Sequence, residues 1–437
     1  MQEYRYETVS DGIRLTEYRG EGVTELQIPE TIDDQPVKVL GKELFTEHGA
    51  GIEILRVPGC VRKIEENGLT GLDDLKELHL SEGLQVIGSD FIPAGILDVV
   101  EIPKTVYRID EPWNLNVRLN VETGNPFHMS DDYALYRRLD AGMLAMEGVF
   151  PHSDKKEYTI PDGCVAIEEH AFANQEHLET LILPASLKQI EEGALVSLNH
   201  AFEYRRGIRT YKVDEDNRLF HVREDGLYYQ DRSCCELIRY TRDDTNVTIQ
   251  DGVTVIGMDA FLNTPVLSVT LPESVRTINP DPFRGTMVEE VNMGSEKILF
   301  PGHSYLSLSE ELLACFGRNG QNFDYAEYDR LVCQNYLNAE RIRLFAARLQ
   351  YPTALTEEKK NSYVSILQNQ LQNAVKLSGE AEDTATIQRL CSANVINRDN
   401  CASCLDTLSS LSSKTCMRAL MEYSHSHFEQ SDSDFSL

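Results

Sequence analysis

The sequence predicts an α/β repeat solenoid of short parallel strands with β-hairpin insertions, followed by an α-helical repeat-like domain. Three observations carry this reading. A phrase of the form apolar-x-apolar-Pro-x-x-Val-x-x-Ile recurs along roughly the first 300 residues. Its anchors at Val57, Leu80 and Ile102, and again at Ile249, Leu271 and Met293, are spaced by 22 or 23 residues. Beyond about residue 305 the apolar period changes from that of strands to that of helices.

The copies read LRVPGCVRKIEENGL from Leu55, VEIPKTVYRI from Val100, YTIPDGCVAIEEHAF from Tyr158 and LILPASLKQIEEGAL from Leu181. They continue as VTIQDGVTVIGMDAF from Val247 and VTLPESVRTINPDPF from Val269, with weaker copies at Leu26 and Leu78. In Leu78-His79-Leu80 the apolar residues alternate, so they point to one side of a short strand. Proline then ends the strand, because it has no N–H to give to a ladder. In the returning segment Val165, Ile167, Ala171 and Phe172, or Val253, Ile256, Ala260 and Phe261, pack back beneath the strand. One unit cannot bury this set alone, so copies stack into a solenoid over 1–305 with one parallel strand per turn.

Two longer steps, from Ile102 to Ile160 and from Leu183 to Ile249, hold insertions near 114–157 and 199–245. Each contains a related stretch, NPFHMSDDYALYRR from Asn125 and NRLFHVREDGLYYQ from Asn217. Leu135, Tyr136, Leu227 and Tyr228 alternate as strands around a turn, which predicts hairpins, with His128 and His221 at equivalent positions. The opening SDGIRLTEYRG reads as a partial third copy.

IPxxVxxIxxxAF units of about 23 residues, interleaved with DG-LY hairpins and opened by DGIxLTxYxG, resemble the BspA-type leucine-rich repeat family over roughly residues 4–300. The resemblance implies a bacterial source. Some members like this are surface proteins that attach to host matrix proteins or to other cells.

The helical pattern predicts helices at 308–316, 325–337, 339–349, 357–377, 384–394, 399–411 and 414–427, with Pro352 and Gly379 as breaks. Thr356 before Glu357 and Glu358 has the chemistry of an N-cap. The domain spans 306–428 and is distantly ankyrin-like, without the TPLHxA phrase. The polar 429–437 segment reads as a disordered tail.

Forty-one Lys and Arg against 71 Asp and Glu leave a formal net charge of −30, which repels a phosphate backbone. Nucleic acid is therefore excluded as an expected partner, and no run is long and apolar enough for membrane insertion. The first residues lack the basic and apolar regions of a secretory signal, so the expected location is cytoplasmic, with cell surface or secreted as the alternative. The ten cysteines are too sparse for a disulfide scaffold. Cys401 and Cys404 form a C-x-x-C with Cys391, Cys416, His425 and His427 nearby, which invites zinc. Helical spacing instead puts the thiols on buried faces. The motifs of hydrolases, metalloproteases, P-loops and dinucleotide folds are absent. No catalytic, cofactor-binding or metal residue is expected, and no cofactor.

The functional expectation is a protein-protein interaction scaffold that is not an enzyme. Its alternatives are a cell-surface adhesin or a metal-dependent or enzymatic module in the helical half. The partner, a protein or peptide, would meet the concave face formed by the outward residues of successive strands. These are Ile54, Arg56, Glu77, His79, Val99, Glu101, Thr180, Ile182, Ser268 and Thr270. Ile54, Val99 and Ile182 put branched apolar groups on that face, where exposed apolar surface marks interaction sites. The same aliphatics also stiffen a strand without binding anything.

Overall fold

The computed structural model describes residues 4–114, 116–197, 207–301, 306–333 and 338–428. Contacts gather the chain into two compact units, Met1–Asp231 and Arg232–Leu437.

In the first unit the repeat carries two ladders, where the phrase alone predicts one strand per turn. The principal strands are Glu25–Gln27, Ile54–Val57, Glu77–Leu80, Val99–Ile102, Arg118–Val121, Glu157–Thr159, Thr180–Leu183 and Thr210–Val213. A second parallel ladder runs through the Val-x-x-Ile segments. Gln35–Leu40, Lys63–Ile64, Val86–Ile87 and Arg108–Ile109 share one sheet, and Leu144–Val149, Cys164–Ile167 and Gln189–Ile190 share another. The returning isoleucines are held in register, Ile64 with Ile87 and Ile87 with Ile109, so each stacks on the last in the core. Leu55, Val57, Val61, Ile64, Leu69 and Leu72 of one turn are all buried, each worth about 1.5–3 kcal/mol of transfer free energy.

The turns between the ladders have their own recurring chemistry. The Gly163 N–H donates to Ser186 Oγ of the next turn at 3.0 Å, and the Ser186 hydroxyl donates to the Cys164 carbonyl at 2.7 Å. In the first sheet the Gly83 N–H donates likewise to Thr105 Oγ1 at 2.8 Å. A glycine with positive φ, 117° at Gly83 and 87° at Gly163, is needed to aim that N–H. Three residues after the returning isoleucine the backbone enters the left-handed region, at Asn67 (φ 55°), Asp90 (46°) and His170 (60°). Asn and Asp tolerate this conformation best, which explains their recurrence there.

One register expectation is corrected. In the copy from Tyr158 it is Cys164, fully buried, that takes the inward position, while Val165 is half-exposed. The chain follows Val253–Ile256, where the inward pair is also three residues apart. A small thiol serves as an apolar core group here.

The insertions are hairpins that feed the second ladder. His128–Ser130 and Ala134–Arg138 pair antiparallel, Ala134–Arg138 pairs with Leu144–Val149, and Leu144–Val149 runs parallel to Cys164–Ile167. The opening hairpin, Tyr4–Val9 with Gly12–Tyr18, does the same against Gln35–Leu40. A further hairpin pairs Phe220–Arg223 with Gly226–Gln230. Part of the expected 199–245 insertion lies outside the described residues. Asn125 and Asn217 sew their hairpins to the preceding turn. The Asn125 amide donates to the Pro103 and Val106 carbonyls at 3.2 and 3.3 Å, and its oxygen accepts from the Phe127 and His128 N–H groups. Asn217 repeats the pattern with Pro184, Leu187, Leu219 and Phe220.

These bonds also correct the histidine alignment. His128 corresponds to Phe220, since each N–H is the second to reach the asparagine oxygen, and both side chains are buried. His221 is exposed one position further on.

In the second unit the principal strands are Asn246–Thr248, Ser268–Leu271 and Glu290–Met293, closed by the antiparallel Glu296–Leu299. Cys235–Tyr240, Val255–Ile256 and Thr277–Ile278 form its second ladder. Eight α-helices follow among the described residues: α1 Leu306–Leu313, α2 Tyr325–Val332, α3 Ala339–Gln350, α4 Glu357–Asn369, α5 Leu371–Glu380, α6 Thr384–Ser392, α7 Cys401–Ser410 and α8 Lys414–His427. Thr356 caps α4 as expected, its Oγ1 accepting from the Lys359 N–H at 3.2 Å.

One helix boundary departs from the periodicity. The expected 357–377 helix is broken at Gln370 (φ −115°, ψ 23°), where α4 and α5 both pack on α3 and α5 turns to pack on α6 and α7 as well. Tertiary packing overrides the local propensity of ILQNQLQN. Gly379 is the last residue but one of α5, so the expected break falls just after it, and its missing Cβ makes room for Leu408 and Leu411, which an added Cβ would meet at 2.7 and 3.1 Å. The end of the expected 325–337 helix and the 429–437 tail lie outside the described residues.

Within this unit aromatic rings join the turns of the repeats to the segment between α1 and α2. Phe261 stacks on Phe283 at 5.0 Å, Phe283 meets Phe316 at 5.0 Å, and Phe316 meets Phe323 at 4.7 Å. The Tyr328 hydroxyl donates to the Leu299 carbonyl at 2.5 Å. Behind it Arg348 makes a bidentate pair with buried Asp329 at 2.7 and 2.9 Å, and the Tyr363 hydroxyl donates to the same carboxylate at 2.8 Å. Burial and the Asp329 charge push the Tyr363 hydroxyl well above its ordinary range, so it remains a donor. Beyond this joint, α3 packs on α6, α6 on α8 and α5 on α7, two parallel rows of helices.

Candidate protein-interaction face

Alternation holds on the principal strands. Leu55 and Val57 are buried while Ile54 and Arg56 between them face out, and Val100 and Ile102 are buried beside outward Val99 and Glu101. The structure places Ile54, Arg56, Glu77 and His79 on one three-stranded sheet, Val99 and Glu101 on a two-stranded sheet, and Thr180 and Ile182 on another three-stranded sheet. Ser268 and Thr270 face outward on the sheet of the second unit. The principal ladder is thus divided. After Arg118–Val121 its next neighbour is the hairpin, with the Val121 N–H donating to Ser130 Oγ at 2.9 Å.

The outward residues answer one another across strands. Glu25, Ile54 and Glu77 are in register, and Arg56 Nε donates to Glu25 Oε1 at 2.8 Å. Along one strand, His79 lies 3.0 Å from Glu77. On the next sheet the Asn120 amide donates to both Glu101 oxygens at 2.9 and 2.8 Å. Lys212 reaches Glu157 at 2.7 Å across the strand that carries Thr180 and Ile182. Such exposed pairs contribute little to stability, about 0–1 kcal/mol each, but they fix the side chains of a flat surface. Ile54, Val99 and Ile182 sit half-buried among them. The face is therefore polar, internally paired and studded with separate aliphatic groups.

Beside it, between residues 95–99, 116–118 and 150–155, lies a cavity of about 400 Å³. Val99 belongs to both the face and this cavity.

The cluster that sequence reading missed is inside the 125–149 hairpin. His128 and Glu147, 1% and 7% exposed, face each other at 3.2 Å. Glu147 also accepts from Arg137 Nε at 3.2 Å, and Arg137 pairs with Glu168. Burial raises the Glu168 carboxyl against the pull of Arg137. Only the internal comparison with Phe220 signals that a polar group occupies an apolar position.

The thiols sit where the helical stripes place them. Cys391, Cys401, Cys404 and Cys416 are all buried on α6, α7 and α8. Burial pushes Cys391 up to about 12 and Cys404 up to about 11, the range of an unreactive core thiol.

A chain of stacked turns of 22 or 23 residues built on a parallel strand, in most copies a closing proline, and a returning isoleucine is a leucine-rich repeat protein. The pattern of the BspA type leucine rich repeat region matches in six copies over residues 18–116, 146–204 and 239–310, more than half of the chain. The chain belongs to that family. No curated protein matches it. Among solved structures it is similar to a leucine rich cell surface protein of Faecalibacterium prausnitzii, with 15% identity over 68% of this chain and 94% of that one and a TM-score of 0.35. It is also similar to a leucine-rich repeat protein of Eubacterium ventriosum, with 10% identity, coverage of 65% and 93%, and a TM-score of 0.36. The pneumococcal vaccine antigen PcpA gives 14% identity, coverage of 67% and 69%, and a TM-score of 0.31. Family membership rests on the repeat pattern, not on these superpositions.

Proposed function

We propose that the chain is a non-enzymatic scaffold that binds a protein or peptide through the outward face of its principal strands. The observation that carries this is the face itself, a side-chain surface fixed by cross-strand pairs and interrupted by half-buried Ile54, Val99 and Ile182. Such a surface offers shape and patch complementarity and holds no nucleophile–base pair. The net charge of −30 favours a basic or neutral partner. Replacing Ile54→Glu and Ile182→Glu together abolishes co-purification of the partner from native lysate and leaves the melting temperature nearly unchanged. Undiminished capture by the double variant would refute the face.

The helical rows of the second unit serve as a second contact module in this reading, as stacked helix pairs do in ankyrin-like arrays. We assign the protein to the cytoplasm of a bacterium, in keeping with ten free cysteines. Labelling of the protein by a membrane-impermeant biotin reagent on intact source cells would reverse that assignment in favour of an adhesin.

A further inference from the structure

The cavity beside the face has a floor and a mouth of different chemistry. Val117 and Phe150 are buried at its base, with Leu97 and Val99 half-buried beside them. A volume of about 400 Å³ with such a floor accommodates one branched side chain with part of the backbone that carries it. At the mouth stand Arg118, Lys155, His152, Asp98 and Asp132.

These charges are not equivalent. Lys155 lies 2.8 Å from Asp132 and 5.8 and 5.6 Å from the centres of the Tyr133 and Tyr158 rings, so its ammonium is held in place. Lys155 in turn keeps the Asp132 carboxyl below its usual range, which leaves Asp132 answered. His152 faces Glu176 at 3.7 Å. Asp98 has no ion-pair partner among the described residues, and Arg118, whose charge also helps to lower the Asp132 carboxyl, makes no ion pair within 4 Å there. Arg118 offers a planar fork of N–H donors that fits a carboxylate, and Lys155 has ammonium protons beyond the one directed at Asp132. Asp98 can only accept, so its complement is an N–H.

A carboxylate, an amide N–H and an aliphatic side chain within one residue's reach describe the end of a polypeptide. We propose that this cavity captures the C-terminal residue of a partner chain, with the free carboxylate at Arg118 and Lys155, its N–H at Asp98 and a branched aliphatic side chain against Leu97, Val99, Val117 and Phe150. The inference rests on the outward face being a binding surface, since it gives that surface an anchoring point. It also narrows the partner to proteins whose last residue is Leu, Ile or Val and is free to enter.

The test uses the full chain and three small probes followed by saturation-transfer NMR and titration: N-acetyl-leucine, N-acetyl-leucinamide and N-acetylglycine. N-acetyl-leucine binds, and the other two, lacking the carboxylate or the side chain, bind at least about tenfold more weakly. Arg118→Gln, at an exposed position that folding does not need, weakens N-acetyl-leucine about tenfold and leaves N-acetyl-leucinamide unchanged. Equal binding of acid and amide, persistence of acid binding in Arg118→Gln, or absence of binding at tens of millimolar would each overturn the proposal. Because no partner protein enters the measurement, its failure leaves the reading of the face to be decided by the Ile54 and Ile182 variants.

Discussion

Asn125 shows how much one side chain can settle. A hairpin inserted into a stack leaves backbone carbonyls of the preceding turn without a strand to answer them, and buried unsatisfied groups cost about 1–3 kcal/mol each. One amide in the right place answers two such carbonyls with its N–H groups and two N–H groups with its oxygen. That Asn217 does the same in the other hairpin makes it a rule of this chain. Asn125→Ala therefore lowers stability by about 2–4 kcal/mol, since several buried partners lose their bonds at once. Asn125→Asp, which keeps the acceptor and loses the donors, also destabilises. Urea unfolding measures both, and a loss under 1 kcal/mol for the alanine variant would remove the asparagine from this role. Asn125 and Asn217 stood in plain view in the two related stretches. Only the bonds show that they, and not the adjacent histidines, set the alignment.

At the scale of the element, what was legible follows from period. A strand that buries alternate residues announces itself, so the principal strands and the outward positions of Ile54, Val99 and Ile182 are where alternation puts them. The second ladder was not legible, because in most of its turns the strand keeps only two residues, too few to show a period. Their pairing comes from stacking alone. The split between α4 and α5 was hidden for a related reason, since every residue around Gln370 is an acceptable helix former. The hairpin core offers a test of this level. Leu237 pairs with Ile256 as Met146 pairs with Ile167, so Ile238 corresponds to Glu147, and Phe220 corresponds to His128. The equivalent positions elsewhere in the same chain thus hold Phe220, which is buried, and Ile238, which is half-buried, in place of the His and the Glu. A buried polar pair replaced as a whole by apolar groups of similar size is neutral or stabilising, by up to about 4 kcal/mol, whereas removing one partner strands the other. His128→Phe with Glu147→Ile is expected to melt at or above the parent temperature, and Glu147→Ile alone below it. A double variant less stable than the single one would show that the pair does structural work that the apolar set cannot replace.

At the scale of the whole molecule, the change from strand period to helix period near residue 305 reads as a boundary in the sequence, yet the packing does not respect it. The last strands and the helices form one compact unit from Arg232 onward. The joint is a continuous run of rings in which Phe261 and Phe283 of the repeats meet Phe316 and Phe323 of the helical segment, with Tyr328 bonded to Leu299. Cutting at 305 exposes Phe316, Phe323 and Tyr328 together, and each buried aromatic of this size is worth about 1.5–3 kcal/mol before any bonding is counted. That loss rivals the whole stability of an ordinary domain, about 5–15 kcal/mol. A fragment of residues 232–437 is therefore expected to unfold in one cooperative transition. A fragment of 306–437 is expected to lose native near-ultraviolet dichroism or to melt far below it. The comparison separates two kinds of boundary, one of sequence pattern and one of packing. If 306–437 melts at the temperature of 232–437, the boundary lies where the period changes, and the run of aromatic rings covers the end of the repeats without holding the helices in shape.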